Sequence, residues 1–206
     1  MKKYICFLAA AFTTSAANAD SSYTLAYQSL DTTLSAAGVS VSGDGTGLSF
    51  GWSTILDDWG IIGSVSRATG TIGTATYSID ATSLGAGYKI SDTLDKANGS
   101  GSRLLLGLGY TVSNGDATIS GTTYTNNNNY FSLIGQVEAR LSKELSIAAT
   151  VNADLEGNAD PTFGISIGYD VTESSDITIG YATNKTTKSG LTTEQTGVTI
   201  GWTTHF

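Results

Sequence analysis

Apolar and polar residues alternate with a period of two through most of the chain, as they do in strands with one apolar face. The last segment shows it most plainly: Val198, Ile200, Trp202 and Phe206 share one face, and Gly197, Thr199, Gly201, Thr203 and His205 the other. Leu104, Leu106, Leu108, Tyr110 and Val112 likewise alternate with Arg103, Leu105, Gly107, Gly109 and Thr111. The same pattern runs through Leu145–Leu155 and Phe163–Val171. It predicts ten strands, over 22–30, 46–56, 59–70, 76–90, 103–114, 129–142, 145–155, 161–172, 176–186 and 195–206. The connections Asp57-Asp58, Lys143-Glu144 and 173–176 are short and would form one rim. Segments 31–45, 115–128 and 187–194, rich in Gly, Ser, Thr and Asn, read as longer loops at the other. Within them Asn126–Asn129 reads as a loop tip and Ser42-Gly43-Asp44-Gly45 as a flexible turn. That turn lacks the later ligands and closing Glu of a calcium loop. Segment 91–102 is long for the first rim and 156–160 short for the second; eight strands remain the alternative if two segments are protruding hairpins.

Composition decides which face is outside. Only 14% of residues are charged, whereas a soluble surface carries roughly a quarter or more. A soluble barrel with the large apolar residues inside would be coated in Gly, Ser and Thr. Inverted, the pattern puts Leu, Ile, Val and aromatics against lipid around a polar lumen, and closure leaves no unpaired strand edge in hydrocarbon. The strands are as long as the roughly 9–11 residues of a tilted membrane strand or somewhat longer, and ten is an even number, as bacterial single-chain barrels have. The expected fold is all-β, an antiparallel up-and-down transmembrane β-barrel. Trp59, Tyr88, Tyr169 and Phe206 would form an aromatic girdle at one rim, and Tyr110, Phe131 and Phe163 at the other.

Residues 1–19 read as a secretory signal peptide: Lys2 and Lys3, an apolar run Tyr4–Phe12, and a small-x-small cleavage site at Ala17 and Ala19. The run is too short for a membrane helix, which needs about 20 residues. Cys6 lies in this segment without a lipobox-like pattern before it. The barrel domain is then 20–206, free of cysteine, with eight basic against 18 acidic residues and a net charge of −10.

That acidity excludes nucleic acid, whose phosphates need a basic footprint. The single histidine, His205, offers no metal cluster and no base beside a nucleophile, so neither cofactor, metal nor catalysis is expected. It reads as an inward rim residue without a role. The remaining chemistry is charge inside the barrel. Lys89, Arg103, Glu138, Arg140 and Asp170 face inward near the short-turn rim, while Asp154 sits alone near the other. Such a set would make either a constriction for small solutes or a static network plugging a narrow lumen. The narrow interior of small barrels favours the plug. Arg67, facing outward near the long-loop rim, would meet lipopolysaccharide phosphates or simply water.

The ending Val198-x-Ile200-x-Trp202-x-Thr204-x-Phe206 resembles the C-terminal assembly signature of bacterial outer-membrane β-barrels, with Thr204 where an aromatic is usual. The opening Ser22–Tyr27 is similar to first strands of the small barrels of the outer-membrane protein X, attachment-invasion and opacity type. The resemblance implies a location in the outer membrane of a Gram-negative cell envelope, contact with its lipid and lipopolysaccharide, and assembly through the barrel-assembly machinery and periplasmic chaperones, as a monomer. It implies a porin-like role, structural or in limited passive permeation. The alternative is a surface-interaction barrel acting through its external loops, whose lack of aromatic anchors counts against it. A lipid-modifying barrel enzyme ranks below both.

Overall fold

The computed structural model describes residues 21–36, 38–95, 97–119, 121–157, 160–188 and 191–206. The expected signal segment, with Ala17 and Ala19, lies outside the described residues. Ten strands follow in order: β1 (Ser21–Ala36), β2 (Val39–Leu56), β3 (Trp59–Ile72), β4 (Ala75–Asp92) and β5 (Ser102–Ile119) form the first half. The second half is β6 (Thr122–Arg140), β7 (Leu145–Asp154), β8 (Thr162–Thr172), β9 (Ser175–Lys188) and β10 (Leu191–His205). Each pairs antiparallel with its sequence neighbour, and β1 closes on β10. This is the expected barrel, with ten strands rather than eight.

Side-chain direction follows the alternation. Leu25, Leu48, Leu84, Leu108, Ile165, Ile179 and Ile200 are exposed on the outer wall, while Ser22, Thr24, Ser49, Thr111, Ser166, Thr178 and Thr203 are buried inside. The outer wall changes character along one line. Going up from the short-turn rim, the exposed apolar residues of the outward face end at Tyr27, Leu48, Val65, Val112, Phe131, Tyr181 and Val198. Above Leu48 on β2 the only large apolar residues exposed are Val41 and Val39, of opposite parity. The next outward residues are Ser29, Thr46, Arg67, Asn114, Asn129, Thr183 and Thr196. The register keeps this line level: Tyr27 pairs with Leu48 and Ile200, Val112 with Asn129, and Thr196 with Thr183. Below it the wall is an apolar band that suits hydrocarbon; above it water is the only suitable solvent.

Above the line the inside changes too. Leu30, Tyr77 and Ile79 point inward and are buried, opposite in face to the exposed Asp31 and Asp80. Lipid demands an apolar exterior, whereas water demands a polar one and rewards an apolar interior. On β1 and β4 large apolar side chains therefore move inside where the solvent changes, beside inward polar residues such as Thr32, Ser113 and Gln195.

The expected long loops at 31–45 and 115–128 are corrected by this wall, as is most of 187–194. They are strand, and Ser42–Gly45 lies within β2 and Asn126–Asn129 within β6. Threonines in alternation extend the ladders, and tight reversals at Gly38, Gly73 and Gly121, all at positive φ, supply the turns. Segment 91–102 shrinks to a connection closed by an Asp95–Ser100 bridge. The turn at Asp57-Asp58 is the expected one, with Asp57 at φ 47°.

The girdle forms by contact. Trp59 meets Tyr88 edge-on at 5.5 Å, and Tyr110 meets Phe131 at 4.9 Å. At the seam Phe206, Tyr23, Phe50 and Trp52 form a continuous row, with centroid spacings of 4.9, 5.7 and 6.3 Å. Trp52 continues onto its cross-strand partner Gly63, where any Cβ would collide with the indole.

Candidate functional site

The chemistry of the chain is concentrated inside the barrel, where alternation brings one residue in two from every strand. Near the short-turn rim these residues are charged. Arg140 on β6 donates Nη1 to Asp170 Oδ2 at 3.0 Å and Nη2 to Oδ1 at 3.4 Å, reaching past β7, and Nη1 also donates to the Lys143 carbonyl at 3.2 Å. Arg103 on β5 pairs with Asp92 at 3.0 Å, and Lys89 approaches the same carboxylate at 3.6 Å. Glu138, only 2% exposed, stands opposite Arg103 in the register. Deep charges are stable only when paired and hydrogen-bonded, so the Arg103–Asp92 pair ties β5 to β4 and the Arg140–Asp170 pair ties β6 to β8 across β7.

Asp154 lies apart at the upper end of β7, where its Oδ1 accepts from the Glu156 amide at 2.8 Å. Two partners escaped the sequence reading. Asp92 fell in an expected connection and instead ends β4. Asp176 meets His205, so the expectation of a partnerless rim histidine is corrected: Nε2 lies 2.7 Å from Asp176 Oδ2, whose Oδ1 accepts from Thr178 at 3.0 Å. His205 was expected to face inward, whereas Asp176 fell at the end of the expected connection 173–176. Their meeting depends on the β9–β10 register, which alternation does not specify. Arg67 is likewise not alone, since Asp80 on β4 lies 3.7 Å away, with both side chains exposed.

Higher in the lumen the packing becomes apolar. A cavity of about 20 Å³ lies between Ile62, Leu105, Ile134 and Gln136, room for about one water. Above it Tyr77 on β4 lies flat against Gly70 and Gly45, where a Cβ would collide with its ring, and its hydroxyl end reaches Thr32 on β1. Thr32 Oγ1 in turn accepts from Gln195 Nε2 on β10 at 3.1 Å. Tyr77 thereby meets β1, β2 and β3 from β4, and the Thr32–Gln195 bond carries the link on to β10.

Neither ring nitrogen of His205 meets a hydroxyl nucleophile among the described residues, since Nε2 faces Asp176 and Nδ1 has no hydrogen-bond partner. Among the described residues no group of three or more His, Cys, Asp or Glu side chains is placed to hold a metal ion. The terminal Val198, Ile200, Trp202 and Phe206 all lie on the outer wall. There Phe206 is held by Tyr23 and by its own amide, which donates to the Ser21 carbonyl at 3.2 Å.

No protein-family model and no curated protein sequence matches the chain. Solved structures do. The outer-membrane protease OmpT of Escherichia coli is 13% identical, with a TM-score of 0.55 over 94% of this chain and 99% of that one. The transport unit of the autotransporter AIDA-I, also from Escherichia coli, is 11% identical, with a TM-score of 0.53 over 95% and 94%. Neisserial surface protein A is 13% identical, with a TM-score of 0.46 over 89% and 97%. Likeness at these identities is one of fold. The chain has the fold of the bacterial outer-membrane β-barrels, ten-stranded and closed, with the apolar exterior that such a barrel needs.

Proposed function

We propose that the chain is an integral outer-membrane barrel with a structural role, whose packed lumen limits passive permeation to the smallest solutes. The observation that carries this reading is the burial of inward residues from the short-turn rim to above the apolar band. Glu138 and Arg140 sit near the short-turn rim, Thr203 and Ser132 further in, and Leu30 and Thr32 above, none more than 5% exposed. An open channel would leave these groups in contact with water. We read the role as non-catalytic because no hydroxyl nucleophile lies against either ring nitrogen of His205 among the described residues, and the likeness to a protease is confined to fold. Signal cleavage, outer-membrane delivery and contact with lipopolysaccharide and the assembly machinery belong to the same reading.

Single-channel recording in planar bilayers tests it. The refolded barrel is expected to give no steady current, or one far below that of an open porin. A large, steady open current would overturn the packed-lumen reading. A second role, binding at the cell surface, is favoured by the wall above the apolar band, which projects polar hairpins well beyond what the membrane requires.

A further inference from the structure

The wall above the apolar band is incomplete. β7 ends at Asp154, opposite Ser132, and the β8–β9 pairing ends at Phe163 and Thr183. β6 continues upward to Thr122 with β5 on one side only. The Phe131 carbonyl accepts from the Leu155 amide at 2.9 Å, so this residue turns its backbone groups toward β7. In an antiparallel strand both groups of a residue point the same way and alternate along the chain. Thr123, Thr125, Asn127 and Asn129 therefore present N–H and C=O into the gap, with no backbone partner there among the described residues.

Natural sheets guard such edges with lysine, proline or a bulge. This one carries none of these from Thr122 to Tyr130. The opening also begins only above the apolar band; within the band every strand is paired on both sides, as hydrocarbon requires. The surroundings are acidic on balance: Lys185 on the β9 side, whose carbonyl accepts from the Asp160 amide at 3.2 Å, is outnumbered by carboxylates. Asp116 lies on β5, accepting from Thr125 Oγ1 at 2.6 Å, and Glu156 and Asp160 lie in the β7–β8 connection at the foot of the gap.

We propose that the β6 edge is a docking site for an extended basic segment of a partner polypeptide, which adds as a strand beside Thr123–Asn129. Main-chain hydrogen bonds would supply affinity, and carboxylates the charge preference. The proposal rests on the hairpin rim facing the cell exterior.

The probe is a ten-residue peptide of alternating lysine and threonine, added to the barrel in phosphatidylcholine vesicles, with a glutamate–threonine peptide as its counterpart. Hydrogen exchange at the amides of Thr123, Thr125, Asn127 and Asn129 is expected to slow at least tenfold with the lysine peptide only. Asn127→Pro deletes an edge N–H without touching the β5 ladder and is expected to abolish that protection. Glu156→Lys with Asp160→Lys, which leaves the edge intact, is expected to weaken binding at least tenfold; it serves also if the proline variant fails to fold. Absence of edge protection, equal protection by the acidic peptide, or binding unchanged by both variants would overturn the docking site. The rim's orientation is read separately, by labelling Thr123→Cys in intact cells with a membrane-impermeant maleimide. Absence of labelling overturns the orientation whatever the peptide does in vesicles.

Discussion

Arg140 reaches past an entire strand, β7, to hold Asp170 on β8 with both ends of its guanidinium group. The Arg140 side chain is fully buried and that of Asp170 is 9% exposed. Removing one partner leaves the other charge uncompensated, so Arg140→Ala or Asp170→Ala should each destabilise the barrel by about 3–5 kcal/mol. Replacing both, as Arg140→Met with Asp170→Leu, should be close to neutral on the same grounds. Urea unfolding in lipid vesicles measures all three. A double variant as weak as the singles would show that the pair contributes more than mutual neutralisation.

The two faces of one wall should answer oppositely to charge. Leu106 is exposed on the apolar band and Thr150 points into the lumen. Leu106→Arg puts a charge near the hydrocarbon midplane, at a cost of about 2–4 kcal/mol. Thr150→Lys should cost less, its site being polar already. If urea unfolding ranks Thr150→Lys as the more damaging, the apolar band does not face lipid.

At the seam, Phe206 closes an aromatic row and ends the stretch that resembles the outer-membrane assembly signature. Phe206→Ala should slow insertion and lower the amount of folded barrel, read as heat-modifiable gel mobility of membrane fractions. Wild-type rate and yield would remove the terminal aromatic from the assembly argument.

Trp52 lies on Gly63, so a methyl group there must displace the indole. Gly63→Ala should shift tryptophan emission and destabilise the barrel by about 1–3 kcal/mol through overpacking. Trp52→Leu alongside it should relieve most of that cost. An unchanged emission spectrum would show that the indole does not rest there.

In the connection between β4 and β5, the Asn98 side chain donates to Asp95 Oδ2 at 2.7 Å and the Asn98 amide to Oδ1 at 3.0 Å. These bonds, the side-chain one foremost, hold the Asp95 carboxyl below its ordinary value. A depressed folded value means that the turn gains stability above the unfolded pKa and loses it as pH falls through the folded one. An NMR titration of Asp95 should find a midpoint below the usual carboxylate range, and Asn98→Ala should move it upward. An unmoved midpoint would assign the depression elsewhere.

The sequence by itself determined the alternating strands, the face each residue takes and the apolar band with its girdles, whereas the choice of ten strands over eight came from the closed pairing. Direction in a strand is a local property: with a period of two, Leu106 and Gly107 must point oppositely whatever surrounds them. The inward position of Glu138, Arg140 and His205 was legible for the same reason. Strand length was not. Threonine, serine and asparagine serve loops and water-exposed strands alike, so Val39–Gly45 and Thr122–Asn128 looked like loops until cross-strand pairing made them wall. Pairings such as Arg140 with Asp170 and His205 with Asp176 were also closed to sequence reading. They depend on the stagger between strands and on a side chain long enough to pass over a neighbour. The open edge of β6 exists only because β7 and β8 stop early, and where a strand stops relative to its neighbours is settled by tertiary pairing.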